Sequence, residues 1–492
     1  MRLVFRCDGD GRIGGGHVMR CLTLAQAART RGWEAAFVCA EGGFSDRVAA
    51  AGFPLTTIPP APARPDPGGP PHAHWLSVPW EADAAITAHA AGDADWLIWD
   101  HYGLDARWAR AVGAPRAMAL DDLDDRALGS DVVLDATRLD GKRVRDAPIE
   151  LIGPDYVPLR PEFAQARPAA LARRDGPVRR LIVLPGLADA VGLAPLALDA
   201  LRDLPFDVEV VMGADAQSRA AAEARLGRHV LTLDPPDMAA RMTMADLCVG
   251  ASGMTNWERC ALGLPTVAMA VADNQVPGLD GLARRGAVVP LTLADARDPA
   301  RLRAAVEAAA DQAGALSRAA AAICDGLGAD RVLDALDWRW RPLTEADGDL
   351  LFHWRNRPDI RAASHDVAPL DPRTHAGWVR RAVARNDGIW AVYEEGGRPL
   401  GHANAVTGAD GWTWSFYLGA PAPEGTDTRM MRRFLDRLCA AGAPRVIGEV
   451  KAGNTASATL HRRLGFEQVD ARAGVLVFAR DLRNTDAEET RR

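Results

Sequence analysis

Two successive doubly wound α/β domains followed by a smaller mixed α+β domain are predicted by three features of the sequence. Apolar strand candidates alternate with amphipathic segments up to about residue 335, a proline-rich stretch near 150–175 interrupts that alternation, and aromatic strands of period two appear beyond it. A chain of 492 residues is too long for one ordinary core. At roughly 100–200 residues per domain it holds about three. The boundaries expected are 1–155, 156–335 and 340–483.

The first domain opens with a short strand, RLVFR (2–6), a glycine-rich loop, CDGDGRIGGG, and an amphipathic run, HVMRCLTLAQAARTRG, that stops at Gly32. Strands follow at AAFVCA (35–40), WLIWD (96–100), APRAMALDD (114–122) and DVVLDA (131–136), with helical segments between them. Repeated βα units of this kind build a parallel sheet covered by helices. The insert PPAPARPDPGGPP (59–71) cannot hold a helix or an inner strand and is expected at the surface.

A second set of βα units begins after PDYVPLRPEFAQARPAALARRDGP, with RRLIVLPG, VEVVMG, ADLCVGASG and LPTVAMAV as its strands. In the third domain IWAVYEE (389–395) and WTWSFYL (412–418) alternate with period two, which predicts antiparallel strands. The last ten residues, RNTDAEETRR, read as a polar tail.

Composition excludes several classes. Apolar residues make up 48% and charged residues 25%, the balance of a folded globular protein. A net charge of -7, with arginines interspersed among acidic residues, argues against a nucleic-acid partner. Lys142 and Lys451 are the only lysines, a bias of base composition. Seven scattered cysteines (7, 21, 39, 248, 260, 324, 439) form neither a disulfide framework nor a CxxC metal site, and no metal is expected. No apolar run approaches the ~20 residues needed to span a bilayer, so no membrane association and a cytoplasmic location are expected.

Two loops carry the chemistry of the first two domains. Gly14, Gly15 and Gly16 run from strand to helix, where backbone amides and the helix N-terminus favour a phosphate or sugar. His17 lies in the first turn of that helix, where the dipole disfavours imidazolium and leaves a ring nitrogen to accept a proton. A histidine that merely caps or packs beneath the loop is the plainer alternative. In ADLCVGASGMTNWERCALGLPTVAMAVADNQ (245–275), Gly250 to Gly253 read as a second amide-rich turn at a helix start. Glu258, one turn later, suits a ribose diol, its alternative being a solvated glutamate.

FRCDGDGRIGGGHVMRCLTLA, WDHYGLD (99–105), GPDYVPLRPEF (153–163) and GASGMTNWERCALGLPTVAMAVADNQ together resemble the UDP-sugar hydrolase of pseudaminic acid biosynthesis, over roughly residues 1–335. Its wider relatives are two-domain glycosyltransferases of the GT-B type, including the bacterial lipid II-forming GlcNAc transferase. The resemblance implies two Rossmann-like domains in a GT-B arrangement. It also implies metal-independent cleavage of UDP-2,4-diacetamido-2,4,6-trideoxy-β-L-altropyranose at the anomeric carbon by water, with inversion, in the supply of sugars for flagellin or surface glycans. His17 matches the family's base, Tyr102 its active-site tyrosine and Asn274 the polar residue of an ENQ-like motif. Ser252 and Gln275 join the glycine turns and Glu258 in the implied UDP pocket. The chain departs from the family at LPGLADA (184–190), where only Gly186 and Asp189 of a GG-S/T-D turn remain.

The segment VIGEVKAGNTASATLHRRLGFEQVD (446–470) resembles the GNAT acetyltransferases through its N-x-x-S and L-G-F elements. RPLTEADGDLLFHWRNRPDIRAAS (341–364) and HAGW (375–378) are similar to the N-acetyltransferase of the same sugar pathway. This second resemblance implies a GNAT domain with acetyl-CoA across splayed central strands, held by Gly425, Thr428, Asn454 and Ser457. Glu449, on the strand before Asn454, is placed to take the amine's proton, with an exposed strand carboxylate as its alternative. Two positions depart from the family pattern. Asp427 replaces the second glycine of the pyrophosphate loop, where an anion repels phosphates, and His461 stands where a tyrosine acid is usual and is expected to donate a proton in its place.

The sequence thus predicts a fusion of two consecutive enzymes acting on a UDP-sugar, with acetyl-CoA as the second substrate. Two alternatives stand beside it: a GT-B glycosyltransferase using the same pocket, and a hydrolase whose third domain is a non-catalytic docking module.

Overall fold

A computed structural model describes residues 1–482 apart from 11–12, 61–65, 140–146, 365 and 473, with Asn274 described by its backbone alone. The chain forms two compact units, 1–332 and 333–492. Among the described residues no helix is long and apolar enough to cross a membrane.

The first unit holds two parallel sheets. Strands β1 (Arg2–Cys7), β2 (Glu34–Ala40), β3 (Leu55–Ile58), β4 (Trp96–Asp100), β5 (Ala117–Leu120), β6 (Val132–Asp135) and β7 (Ile149–Ile152) lie in the order β3-β2-β1-β4-β5-β6-β7. Strands β8 (Arg180–Leu184), β9 (Asp207–Met212), β10 (Val230–Leu233), β11 (Leu247–Ala251), β12 (Thr266–Met269) and β13 (Val289–Pro290) lie in the order β10-β9-β8-β11-β12-β13. β4 is buried at all five positions, as a central strand covered on both faces must be, and its apolar run WLIW before Asp100 fits that place. In each sheet the order reverses beside the first strand, between β1 and β4 and between β8 and β11. The diverging loops leave a crevice at the carboxyl ends of those strands.

The edge strands β3, β7, β10 and β13 have only two to four residues and carry no apolar run long enough to mark them in the sequence. The described residues of the insert 59–71 are mostly exposed or half-buried, in keeping with a surface excursion. A 3-10 turn just after it, at Ala73–Trp75, brings Trp75 beside His17.

The second unit is one mixed sheet of seven strands: β14 (Trp338–Pro342), β15 (Gly388–Glu395), β16 (Arg398–Gly408), β17 (Gly411–Leu418), β18 (Arg445–Lys451), β19 (Glu467–Arg472) and β20 (Val475–Asp481). Its order is β14-β15-β16-β17-β18-β20-β19. All pairings are antiparallel except β17 with β18, which run parallel. That parallel pairing covers only Trp412–Trp414 against Val446–Gly448, and beyond it the strands separate. β16 escapes an apolar-pattern search because Gly401, Ala403 and Ala405 form its core-facing row. A Cβ at Gly401 would stand 2.7 Å from the sulfur of Met430, so the helix above requires small residues there.

Candidate functional site

In the first unit the crevice is a cavity of about 750 Å³. Gly16, His17, Arg20, Trp75, Tyr102 and Asp122 line it from the first sheet, and Ser252, Gly253, Asn256 and Gln275 from the second. The helix Gly16–Thr30 starts directly after the glycine loop. Gly14 has φ +80°, and a Cβ on Gly15 would lie 2.4 Å from the Phe44 ring, so both positions need glycine to deliver His17 to the cavity. His17 itself is 7% exposed.

The register of β1 on β4 sets Cys7 beside Asp100, the last residue of β4, and so brings Asp100 under the helix. His17 Nδ1 lies 2.5 Å from Asp100 Oδ1. Arg20, one turn along, donates to both oxygens of the same carboxylate, at 2.7 Å from its terminal nitrogen to Oδ1 and through Nε to Oδ2. Burial works against charge on Asp100, yet Arg20 and then His17 hold its carboxyl well below the usual carboxylate range. An ionised Asp100 fixes the proton of His17 on Nδ1 and leaves Nε2 as the acceptor nitrogen. The Tyr102 ring meets the imidazole edge-on at 4.6 Å, and its hydroxyl donates to Asp122. Burial, followed by Asp122, raises the phenol pKa, so Tyr102 stays neutral.

The expected residues of the second sheet divide. Ser252 is buried, and its hydroxyl accepts from the Asn256 amide at 2.6 Å. Gln275 Oε1 accepts from the Val271 amide at 2.9 Å. Asn274 lies in the 3-10 turn Asp273–Gln275, and its side chain falls outside the described residues. Gly250 is not in the turn that was expected. It belongs to β11, where a Cβ would collide with Arg259 at 2.4 Å, and the turn itself starts at Ser252. Glu258 does not line the cavity either. It faces Arg160 at 3.6 Å, and burial raises its carboxyl pKa despite that guanidinium.

In the second unit a cavity of about 910 Å³ opens where β17 and β18 part. Glu449, Asn454, Ser457, His461 and Asp427 line it. Asn454 caps the helix Thr455–Arg463 by accepting from the Ser457 amide at 3.1 Å. Gly425, with φ +81°, precedes the helix Thr426–Ala440, and the Thr428 amide donates to Asp427 at 2.7 Å. Gly425 and Thr428 are not part of the cavity wall.

His461 cannot supply the proton expected of it. Its Nδ1 donates to the Ser457 carbonyl at 2.8 Å, and its Nε2 accepts from Trp414 Nε1 at 3.1 Å, so the ring is neutral and both nitrogens are engaged. Burial lowers its pKa further from the range in which it would carry a second proton. Gly448 permits this packing, since a Cβ there would stand 2.2 Å from His461 Nε2. Sequence reasoning missed Asp100, Arg20 and Trp75 in the first unit and His402 and Tyr417 in the second. The only local hint was Asp100, at the carboxyl end of an apolar strand.

The buried histidines of the second unit make its stability depend on pH. Burial pushes His402 down to about 3 and also lowers His375 and His461. A depressed histidine contributes stability that is complete above the unfolded value near 6.5 and is lost as pH falls below it. Between pH 7 and pH 5, His402 alone is expected to cost about 2 kcal/mol. Hydrogen exchange resolved to residues 388–418 should show the loss. Equal protection at both pH values would refute it.

Residues 339–467 match the acetyltransferase (GNAT) domain family. The spore coat polysaccharide biosynthesis protein SpsG of Bacillus subtilis (strain 168) is 27% identical over 150 residues, which are 29% of this chain and 44% of the relative's own length. The match therefore spans less than half of that relative. MurG of Acinetobacter baumannii superposes on 68% of this chain and 99% of its own with a TM-score of 0.50 and 16% identity. An N-acetyltransferase from Staphylococcus aureus Mu50 covers 30% of this chain and 99% of its own with a TM-score of 0.27 and 20% identity. The chain joins a GT-B-like α/β fold in its first unit to a GNAT acetyltransferase domain in its second.

Proposed function

We propose that the first unit hydrolyses a UDP-linked diacetamido-trideoxy hexose at C1, and that the GNAT domain acetylates the 4-amino group of the sugar that precedes it. The observation that carries the first half is the His17–Asp100 pair. It is a base with a fixed tautomer, set in the wall of a cavity large enough for a nucleotide sugar and supported by Arg20 on the carboxylate. Water aimed at C1 gives its proton to His17 Nε2, and the C1–O bond breaks with both electrons leaving on the diphosphate. Gly16 and the Ser252–Gly253 turn border the same cavity and serve the departing group.

For the GNAT domain, the separation of β17 from β18 fits a cofactor laid between them, while Asp427 opposes its phosphates. The amine nitrogen bonds the acetyl carbon of acetyl-CoA as the thioester C–S bond breaks with its electron pair on the CoA sulfur, which leaves as the thiolate. Glu449, in the cavity wall, receives the proton that the amine loses. Asp427→Asn is expected to tighten acetyl-CoA binding roughly fivefold at low salt, and less at high salt. Calorimetry with acetyl-CoA on the intact chain checks it; unchanged affinity would place the phosphates elsewhere.

Incubation with the UDP-sugar in the absence of any acceptor tests the first half. Free reducing sugar and UDP in equal amounts are expected. Turnover only on addition of a sugar or lipid acceptor would assign a transferase instead.

A further inference from the structure

Three buried polar atoms in the wall of the second-unit cavity have no hydrogen-bond partner among the described residues: His375 Nε2, His402 Nε2 and the Tyr417 hydroxyl. His402 is 2% exposed and His375 6%. Leaving such an atom unpaired is costly, and native proteins leave few of them. Three in one cavity wall mark a surface built to be completed by something bound.

The same wall is continuous in shape. His402 and Tyr417 are cross-strand partners on β16 and β17, with rings stacked at 5.5 Å. His375 stacks on Trp378 at 5.6 Å within the helix Pro372–Ala384, and Trp378 stands edge-on to His402 at 6.2 Å. Trp378 is 36% exposed, which leaves part of its indole uncovered in the cavity. Burial holds both imidazoles neutral and the phenol protonated at neutral pH. These three side chains thus offer uncharged donors and acceptors beside an aromatic face, with the Arg355 guanidinium 5.8 Å over the Tyr417 ring. Hydroxyl groups and the C–H face of a saturated ring match that set.

We propose that this wall is the acceptor subsite of the acetyltransferase domain and takes the neutral, hydroxylated ring of an amino sugar. Trp378 lies against one face of the ring, and His402, Tyr417 and His375 bond its substituents. The inference rests on the amino-sugar acetylation proposed above and adds the residues that select the acceptor.

The test uses the full chain and monitors thiol release from acetyl-CoA with a UDP-linked 4-amino-4,6-dideoxy hexose as acceptor. Tyr417→Phe, which removes one oxygen and keeps the ring, and His402→Phe are each expected to raise the acceptor KM tenfold or more. The KM for acetyl-CoA should stay within twofold. A rise in the acetyl-CoA KM with the acceptor KM unmoved overturns the proposal, as does wild-type preference for spermidine or a peptide amine. If the wild-type chain releases no thiol with the amino sugar, the acetylation reading fails, and the subsite is judged by binding alone. Saturation-transfer NMR with the methyl glycoside of 4-amino-4,6-dideoxyglucose then decides. A signal lost in the variant that combines Tyr417→Phe with His402→Phe supports the subsite, and a signal unchanged or absent throughout overturns it.

Discussion

Replacing His17 with Asn is expected to lower turnover of the UDP-sugar by roughly 10²- to 10⁴-fold, the usual share of a general base. UDP binding should stay within about threefold. The separation follows from the geometry. An asparagine amide can still donate to Asp100 and leave Arg20 in place, so the wall keeps its shape while the proton acceptor is gone. Asp100→Asn acts differently. Its amide presents an N–H toward His17 and leaves Arg20 with half its partner, so the imidazole loses the contact that sets its tautomer. A fall of similar size is expected, now with a shifted pH profile. Steady-state rates across pH 5–9, together with calorimetry for UDP, check both variants. Turnover retained by His17→Asn would remove it as the base.

Fold and site were unequally legible in the sequence. WLIWD announces β4 because every residue of a central parallel strand is buried and can be apolar. The glycine loop announces the helix start because Gly14 and Gly15 meet conditions that a side chain would violate. Asp100 was invisible as a partner of His17 because the pair is 83 residues apart and is made by the register of β1 on β4. Trp75 was missed for a related reason. No motif marks the residues after the proline- and glycine-rich insert 59–71, and the 3-10 turn there places an indole 6.2 Å from His17.

Two of the readings that failed did so because neighbours already occupy the atoms or the space concerned. His461 has the chemistry of an acid, but its Nδ1–H is spent on the Ser457 carbonyl and its Nε2 lone pair accepts from the Trp414 indole. Gly250 looks like a loop glycine in GASG. It is a strand residue whose missing side chain makes room for the buried Arg259, which donates to the Ala251 carbonyl at 2.8 Å. A glycine in a motif therefore reports a close approach, and the sequence does not say by what.

Arg6→Met should be among the most destabilising single changes in the first unit, by about 3–5 kcal/mol at pH 7. Arg6 is fully buried and bonds two carboxylates, Asp8 at 2.6 and 2.9 Å and Asp83 at 2.6 Å, while Asp83 also accepts from the Trp108 indole at 2.9 Å. Removing the guanidinium leaves two buried acids without their cation. Burial opposes charge on Asp8, but Arg6, and after it His101, keep its carboxyl far below the usual range. A depressed carboxylate contributes stability above its unfolded value near 4 and loses it as pH falls through the folded value. In the variant, burial acts on Asp8 without Arg6 and drives its pKa upward, so protonation relieves it at mildly acidic pH. The gap between wild type and variant, read from urea titrations, should therefore narrow from pH 7 to pH 4. A gap that is constant with pH would mean that the loss comes from packing and not from charge. The effect reaches the site as well, since Asp8 Oδ1 accepts from the Ala40 amide at 2.6 Å and ties the end of β2 to the root of the loop that carries His17.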